Sequence, residues 1–220
     1  TGGLNTAVGR NSLLSLTSGT EVVAMGYNSL NSLTTGGYCV AIGSQSLASN
    51  TGNYNTAIGW ATSISNTSGI YNVAIGAMAS EKNQTGSNNT SLGFKAMQGT
   101  AGNSHSNNTS VGYQALKSVT TGSSNSALGV DALEAITTGA GNVAIGRNAL
   151  TALDTGTSNV AVGNDALSSL TGTTVGNVAI GYEAGKALTT GGNNVAVGYQ
   201  SGDAITTGIF NTSLGASSLS

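Results

Sequence analysis

The stretch Thr138–Asp154, TGAGNVAIGRNALTALD, contains the pattern that decides the fold of this chain. Its central part, Asn142–Gly146, alternates small or polar residues with β-branched ones, which is typical of a short strand. A Thr-Gly turn precedes this strand, and a second apolar segment, A-L-x-x-L, follows it and leads to the next Thr-Gly turn.

The same unit recurs through the whole sequence. Its anchor is a glycine, and the twelve intervals between successive anchors are 17 residues in nine cases and 16, 18 and 19 in the others. The thirteen anchors are Gly9, Gly26, Gly43, Gly59, Gly76, Gly93, Gly112, Gly129, Gly146, Gly163, Gly181, Gly198 and Gly215. This period predicts an all-β fold, a parallel β-solenoid (β-roll) of about thirteen 17-residue coils.

Residues 1–220 therefore form a single repeat array. Neither end has a polar capping segment, so we expect a segment of a longer fibre that can stack end to end into a filament.

An asparagine precedes the strand in eleven copies, and Val22 and Cys39 replace it in the other two. We expect the stacked asparagines to form a structural ladder. They are Asn5, Asn55, Asn72, Asn89, Asn108, Asn125, Asn142, Asn159, Asn177, Asn194 and Asn211. Cys39 has no cysteine partner, and we expect it to behave as a small buried hydrophobe.

The two faces of the strand differ in size. We expect Val143 and Ile145 to lie inside the coil against the leucines of the second segment. The opposite face, Ala144 and Gly146, stays small in all copies: the middle strand residue is Ala in ten and Ser in three. Such a face predicts close approach of another backbone, and we expect partner chains to meet there around a common axis.

The A-L-x-x-L segment also has the spacing of an amphipathic helix. Only seven or eight residues separate the anchor glycine from the next turn. Such a short helix is marginal, whereas a strand and a turn fit the same span. Strand and turn are the preferred interpretation, and helix is the alternative.

Composition excludes several classes of function. Charged residues make up 6% of the chain and the formal net charge is -2, so there is no basic surface for nucleic acid. The 34 glycines occur without a single proline, which excludes collagen. The apolar runs are too short for membrane insertion.

The strings TGNYNTAIGW at Thr51–Trp60 and TGGNNVAVGYQ at Thr190–Gln200 resemble the repeats of phage-type tail-fibre proteins and related bacterial surface proteins. The core N-x-A-[IV]-G is also similar to the head repeats of YadA-like trimeric autotransporter adhesins, whose unit is typically shorter. The resemblance covers essentially the whole chain. It implies a homotrimeric, extracellular stalk or head that projects from a virion or cell surface and has an adhesive function.

No residues are arranged for catalysis, and we expect no enzyme, no cofactor and no metal site. The carboxylates are scattered over variable repeat positions. The only histidine, His105, lies in the irregular stretch Thr100–Asn107, and we expect it to be a solvated loop residue.

An aromatic residue follows the anchor glycine in six copies, where it could stack on the sugar rings of a host or cell-surface glycan or pack against neighbouring coils or chains. These residues are Tyr27, Trp60, Phe94, Tyr113, Tyr182 and Tyr199.

Pairs of adjacent threonines suggest an alternative function, a surface-binding solenoid such as an ice-binding protein. The pairs begin at Thr34, Thr120, Thr137, Thr189 and Thr206. Adjacent residues of a strand point to opposite faces, so these pairs do not form the regular grid that such a surface needs.

Overall fold

The computed structural model describes residues 3–220, and their fold is all-β. Each repeat contains one three-residue strand. No helix in residues 3–220 is long and apolar enough to cross a membrane. The strands are β1 (Thr6–Val8), β2 (Val23–Met25), β3 (Val40–Ile42), β4 (Thr56–Ile58), β5 (Val73–Ile75), β6 (Thr90–Leu92), β7 (Thr109–Val111), β8 (Ser126–Leu128), β9 (Val143–Ile145), β10 (Val160–Val162), β11 (Val178–Ile180), β12 (Val195–Val197) and β13 (Thr212–Leu214).

The chain divides into two compact units, Thr1–Asn108 and Thr109–Ser220. Strands β1 to β6 pair in chain order in the first unit, and β7 to β13 do so in the second. All pairs are parallel and join equivalent positions of successive repeats, as Ala144 and Ala161 do. The predicted parallel β-solenoid is therefore confirmed.

The segment between strands consists of turns. Leu150 has φ 53°, in the left-handed region, and its backbone NH donates to the carbonyl oxygen of Ala166 in the next coil at 3.1 Å. Within the same coil, the Leu153 NH donates to the Leu150 carbonyl oxygen at 3.2 Å. Such i to i+3 bonds close tight turns. The helix alternative is wrong, and the second strand considered for this span is absent from residues 3–220.

The core lies on the opposite face of the strand from the predicted one. Ala144 is completely buried, whereas Ile145 is 40% exposed and points outward. The expectation that the Val/Ile face fills the coil is therefore wrong. A 17-residue coil has a narrow interior, already occupied by side chains such as Leu150 and Leu153, so the strand can contribute only small groups.

This inversion also corrects the predicted contact between chains. The Ala/Gly/Ser face is covered within its own solenoid, because its middle residues, such as Ala144, Ala161 and Ser110, have no exposed surface. It is therefore not available to a partner chain. The third residue of each strand, which points outward, is Val, Ile, Leu or Met, and the first is Val in seven strands and Thr or Ser in six.

Candidate functional site

Inside the coils, the asparagines form a hydrogen-bonded ladder. The backbone NH and the side-chain amide of Asn142 both donate to Oδ1 of Asn125 at 3.0 Å, and the same amide donates to the Gly156 carbonyl oxygen at 2.8 Å. Asn159 repeats these contacts with Asn142. Nine of the eleven predicted ladder residues are buried, and only Asn5 and Asn211 are partly exposed. These side chains therefore bind the protein itself and do not form a ligand site.

The ladder is interrupted at Cys39, which is fully buried. Its thiol lies 3.4 Å from the carbonyl oxygens of both Gly37 and Gly52, and the Asn50 amide lies 3.9 Å from the sulfur. Burial raises the pKa of the Cys39 thiol. The expected burial of this cysteine agrees with the structure.

The outward positions of β9 to β12, in the second unit, form a continuous aliphatic surface, which we call the apolar strip. Its exposed fraction reaches 40% at Ile145 and 42% at Ile180, and the valines between them are partly exposed. No polar side chain interrupts it across β9 to β12. The strip consists of Val143, Ile145, Val160, Val162, Val178, Ile180, Val195 and Val197.

All six aromatic side chains that follow an anchor glycine are exposed. Tyr182 and Tyr199, on neighbouring coils, stack with ring centroids 5.3 Å apart. In the first unit, by contrast, the aromatics occur on every second coil. We call this line of positions the aromatic row. Tyr27, Trp60 and Phe94 are its aromatic members, and Ser44 and Ala77 occupy the coils between them.

A second tyrosine group was missed by the sequence analysis. Tyr38, Tyr54 and Tyr71 stack along the first unit with centroid separations of 4.9 and 5.0 Å. The sequence contains the necessary signal, because all three lie five residues before an anchor glycine.

In three of the threonine pairs, the hydroxyl group of the first threonine bonds to the next coil. Oγ1 of Thr120, the first member of its pair, donates to the Thr137 carbonyl oxygen of the next coil at 3.0 Å. Thr137 and Thr189 donate in the same way. These hydroxyl hydrogens are consumed in coil-to-coil bonds.

His105 is fully buried, so the expectation of a solvated histidine is wrong. Its carbonyl oxygen accepts from the Asn89 amide at 2.8 Å, just as the Gly86 carbonyl accepts from Asn72 at 2.9 Å. It therefore occupies the turn position that a glycine takes in most copies. Neither imidazole nitrogen has a hydrogen-bond partner in the described part of the chain, and burial lowers the pKa of His105 to about 4.

The charged groups form isolated surface pairs, such as Lys117 with Glu134 at 2.9 Å and Lys186 with Glu183 at 2.6 Å. Within residues 3–220, no three His, Cys, Asp or Glu side chains come together as a metal site, and no ligand-sized cavity is found. The apolar strip and the exposed aromatic side chains are surfaces on which another molecule can pack. Comparison with protein-family models, curated proteins and solved structures gave no match.

Proposed function

We propose that this chain is a structural and adhesive segment of an extracellular fibre on a virion or cell surface, and that it assembles as a homotrimer. The observation that supports the proposal is the apolar strip. Ile145 and Ile180 are 40% and 42% exposed in the single chain, and no polar side chain separates them along β9 to β12. An uninterrupted aliphatic surface of this kind is typical of a surface that a partner covers.

The repeat geometry favours a second copy of the same chain as that partner. Successive strands stack in register, so the Val and Ile side chains recur at the strand spacing of about 4.8 Å. An identical chain offers an identical spacing, and each aliphatic side chain can meet an equivalent one over the four coils that contain β9 to β12. Burial of this surface stabilises the assembly by about 25 cal/mol for each Å² of apolar area removed from water.

Three copies are favoured over two because of the resemblance to tail-fibre and trimeric adhesin repeats. Three strips that converge on one axis can cover one another, with the polar turns towards the solvent. With only 6% charged residues in the chain, the Asn, Ser and Thr side chains of these turns keep such an assembly soluble. A solenoid held together by ladders of hydrogen bonds suits a structural role.

The particle mass tests this proposal. We expect multi-angle light scattering of the 220-residue chain to give three times its mass of 21.4 kDa. Ile145→Asp combined with Ile180→Asp should give single chains with an unchanged circular dichroism spectrum, because charges inside the interface are costly and both side chains lie outside the coil. The milder pair Ile145→Thr and Ile180→Thr should shift the equilibrium towards single chains.

The matched control is Thr138→Asp with Thr207→Asp, which adds the same charge at exposed turn positions and should remain trimeric. A wild-type chain that is monomeric at all concentrations, or a trimer that tolerates both aspartates in the strip, would contradict the proposal.

A further inference from the structure

Two lines of side chains border the outward face of the strands. The leading flank consists of the residues five positions before each anchor glycine. The trailing flank consists of the residues directly after each anchor glycine, and it includes the aromatic row. Burial alternates from the leading flank into the strand: Tyr71 and Val73 are exposed, whereas Asn72 and Ala74 are buried. The flanks therefore belong to the same face of the coil as the outward strand positions.

Within a coil, the sizes of the two flank residues complement each other. Seven coils have Gly, Ala or Ser at one flank, and in each of them the residue at the other flank is larger. No coil has Gly, Ala or Ser at both flanks. The seven pairs, with the leading residue first, are Tyr38 with Ser44, Tyr71 with Ala77, Ser124 with Val130, Gly141 with Arg147, Ser158 with Asn164, Gly176 with Tyr182 and Phe210 with Ala216.

Contacts within one chain do not account for this complementarity. The two flank positions of a coil are six residues apart, and an extended chain advances about 3.3 Å per residue, so their Cα atoms lie about 20 Å apart. Side chains do not reach each other across that distance. Flank residues instead contact the same flank on neighbouring coils, as Tyr54 and Tyr71 do with ring centroids 5.0 Å apart. A side chain that compensates for the size of a residue across the face belongs to another chain.

We infer that, in the proposed trimer, the leading flank of each chain packs against the trailing flank of the next chain. This inference rests on the proposed function and names the residues that meet at the edges of the contact. Cyclic symmetry joins unlike edges, so three parallel chains around one axis bring each leading flank to a trailing flank. Tyr71 then fills the space beside Ala77 of the next chain, and Arg147 fills the space beside Gly141 of the preceding one.

The rise of the coil favours contact between flanks of the same coil. Six residues are about a third of a 17-residue repeat, so the two flanks differ in level by about a third of the 4.8 Å coil spacing. In a closed ring all chains lie at one level. The same coil of the neighbouring chain is therefore nearer than the coil before or after it.

One coil has an aromatic residue at both flanks, Tyr54 and Trp60. Ser44 and Ala77 occupy the trailing flank on the coils before and after Trp60, so they leave space around its larger side chain. Trp60 of one chain can then lie beside Tyr54 of the next chain, and the two rings pack as an aromatic pair. The alternation of large and small residues in the aromatic row thus follows from the continuous stack of Tyr38, Tyr54 and Tyr71 that faces it.

The area of the outward face is sufficient for this contact. With about 20 Å between the flanks and about 4.8 Å per coil, the thirteen coils offer about 1,200 Å² per chain. Each of two neighbours covers half of it, so two chains bury about 1,200 Å² between them. A specific interface needs about 1,000 Å².

Disulfide formation between the flanks tests the register. In a Cys39→Ala background, Tyr71→Cys with Ala77→Cys places a thiol on each flank of one coil. Mild oxidation with oxidised glutathione should link each chain to the next and give a covalent trimer on a non-reducing denaturing gel. The matched control, Tyr71→Cys with Ser44→Cys, separates the thiols by two coils and should give at least tenfold less covalent trimer. Equal yields, no covalent trimer from the first pair, or covalent dimers as the main product of a chain with Tyr71→Cys alone would overturn the inference.

An exchange of side chains tests the complementarity of size. Ala77→Tyr should weaken association at least tenfold, because Tyr71 of the neighbouring chain already fills that space. The addition of Tyr71→Ala should restore association to within about threefold of the wild-type chain, whereas Tyr38→Ala in its place should not. Because residues 71 and 77 are about 20 Å apart in one chain, such a rescue does not arise within a chain. Its absence would contradict the flank contact.

Light scattering of the wild-type chain separates this inference from the proposed trimer. A particle of three chains whose matched cysteines do not link keeps the trimer and overturns the flank contact. A chain that is monomeric at all concentrations overturns both.

Discussion

A Cβ atom added to Gly146 would collide with the backbone carbonyl group of Gly163 in the next coil. Gly146 also has φ 135°, a conformation that residues with a side chain rarely adopt. The close backbone approach predicted for the anchor glycines is therefore present, but it occurs between coils of one chain.

Replacement of Gly146 should disrupt the second unit. We expect Gly146→Ala to lower its free energy of unfolding by about 3 kcal/mol or more, because strain and collision add. Arg147→Ala is the control: its side chain is 60% exposed, and its ion pair with Asp165 is long, at 3.6 Å, so its loss should cost less than about 1 kcal/mol. Urea unfolding followed by circular dichroism measures both, and equal effects would contradict the argument.

The asparagine ladder predicts a second large effect. Asn142→Ala removes the acceptor for the Asn159 backbone NH and the donor to the Gly156 carbonyl. Both groups would remain buried without partners, and we expect a loss of about 2 to 4 kcal/mol. Asn164→Ala, at a partly exposed position, should cost less than about 1 kcal/mol in the same unfolding experiment. A loss at Asn142 as small as that at Asn164 would show that the ladder is not needed for stability.

The position of each strand could be predicted from the sequence, but its orientation could not. The repeated N-V-A-I-G pattern places β9 at Val143–Ile145, as observed. The alternation of side chains along a strand assigns the residues to two faces but does not show which face is internal. The width of the coil decides this, and it admits Ala144 but not Ile145. The sequence therefore suggests that the apolar strip lies inside the coil, whereas it lies on the outside.

The turns were unpredictable for a different reason. Leucine has no preference for the left-handed region, yet Leu150 adopts φ 53° there. The stack imposes this conformation, since it aligns the Leu150 NH with the Ala166 carbonyl of the next coil. His105 could have been placed by aligning it with the turn glycines instead of assigning it to an inserted loop.

Burial of Cys39 predicts an unreactive thiol. The sulfur has no exposed surface, and its raised pKa reduces the thiolate fraction that reacts with disulfide reagents. With Ellman's reagent at pH 8, we expect labelling of the folded chain about 100-fold or more slower than labelling of the urea-unfolded chain. Ser49→Cys in a Cys39→Ala background is the exposed control and should react rapidly without urea. Equal rates for Cys39 and the control would show that the first unit opens readily.

His105 predicts that mild acid destabilises the first unit. The unfolded chain binds a proton at the ordinary pKa of 6.5, whereas the buried imidazole does so only near pH 4. The unfolded state therefore holds more protons between these values, and the free energy of unfolding should fall as pH drops from about 6.5 to about 4. The full loss is about 3 kcal/mol.

His105→Leu should remove this dependence without leaving a polar group unpaired, because neither imidazole nitrogen is hydrogen-bonded. Urea unfolding at pH 7.5, 6 and 5, followed by the fluorescence of Trp60, the only tryptophan and a residue of the same unit, compares the two chains. Burial raises the pKa of the Glu81 carboxyl group, but the hydrogen bonds and charges of Gln98, Lys82 and Lys95 together outweigh burial and lower it, so protonation of that group affects stability only at lower pH. Parallel pH profiles for the two chains would contradict the prediction, since the imidazole would then be free to protonate in the folded state.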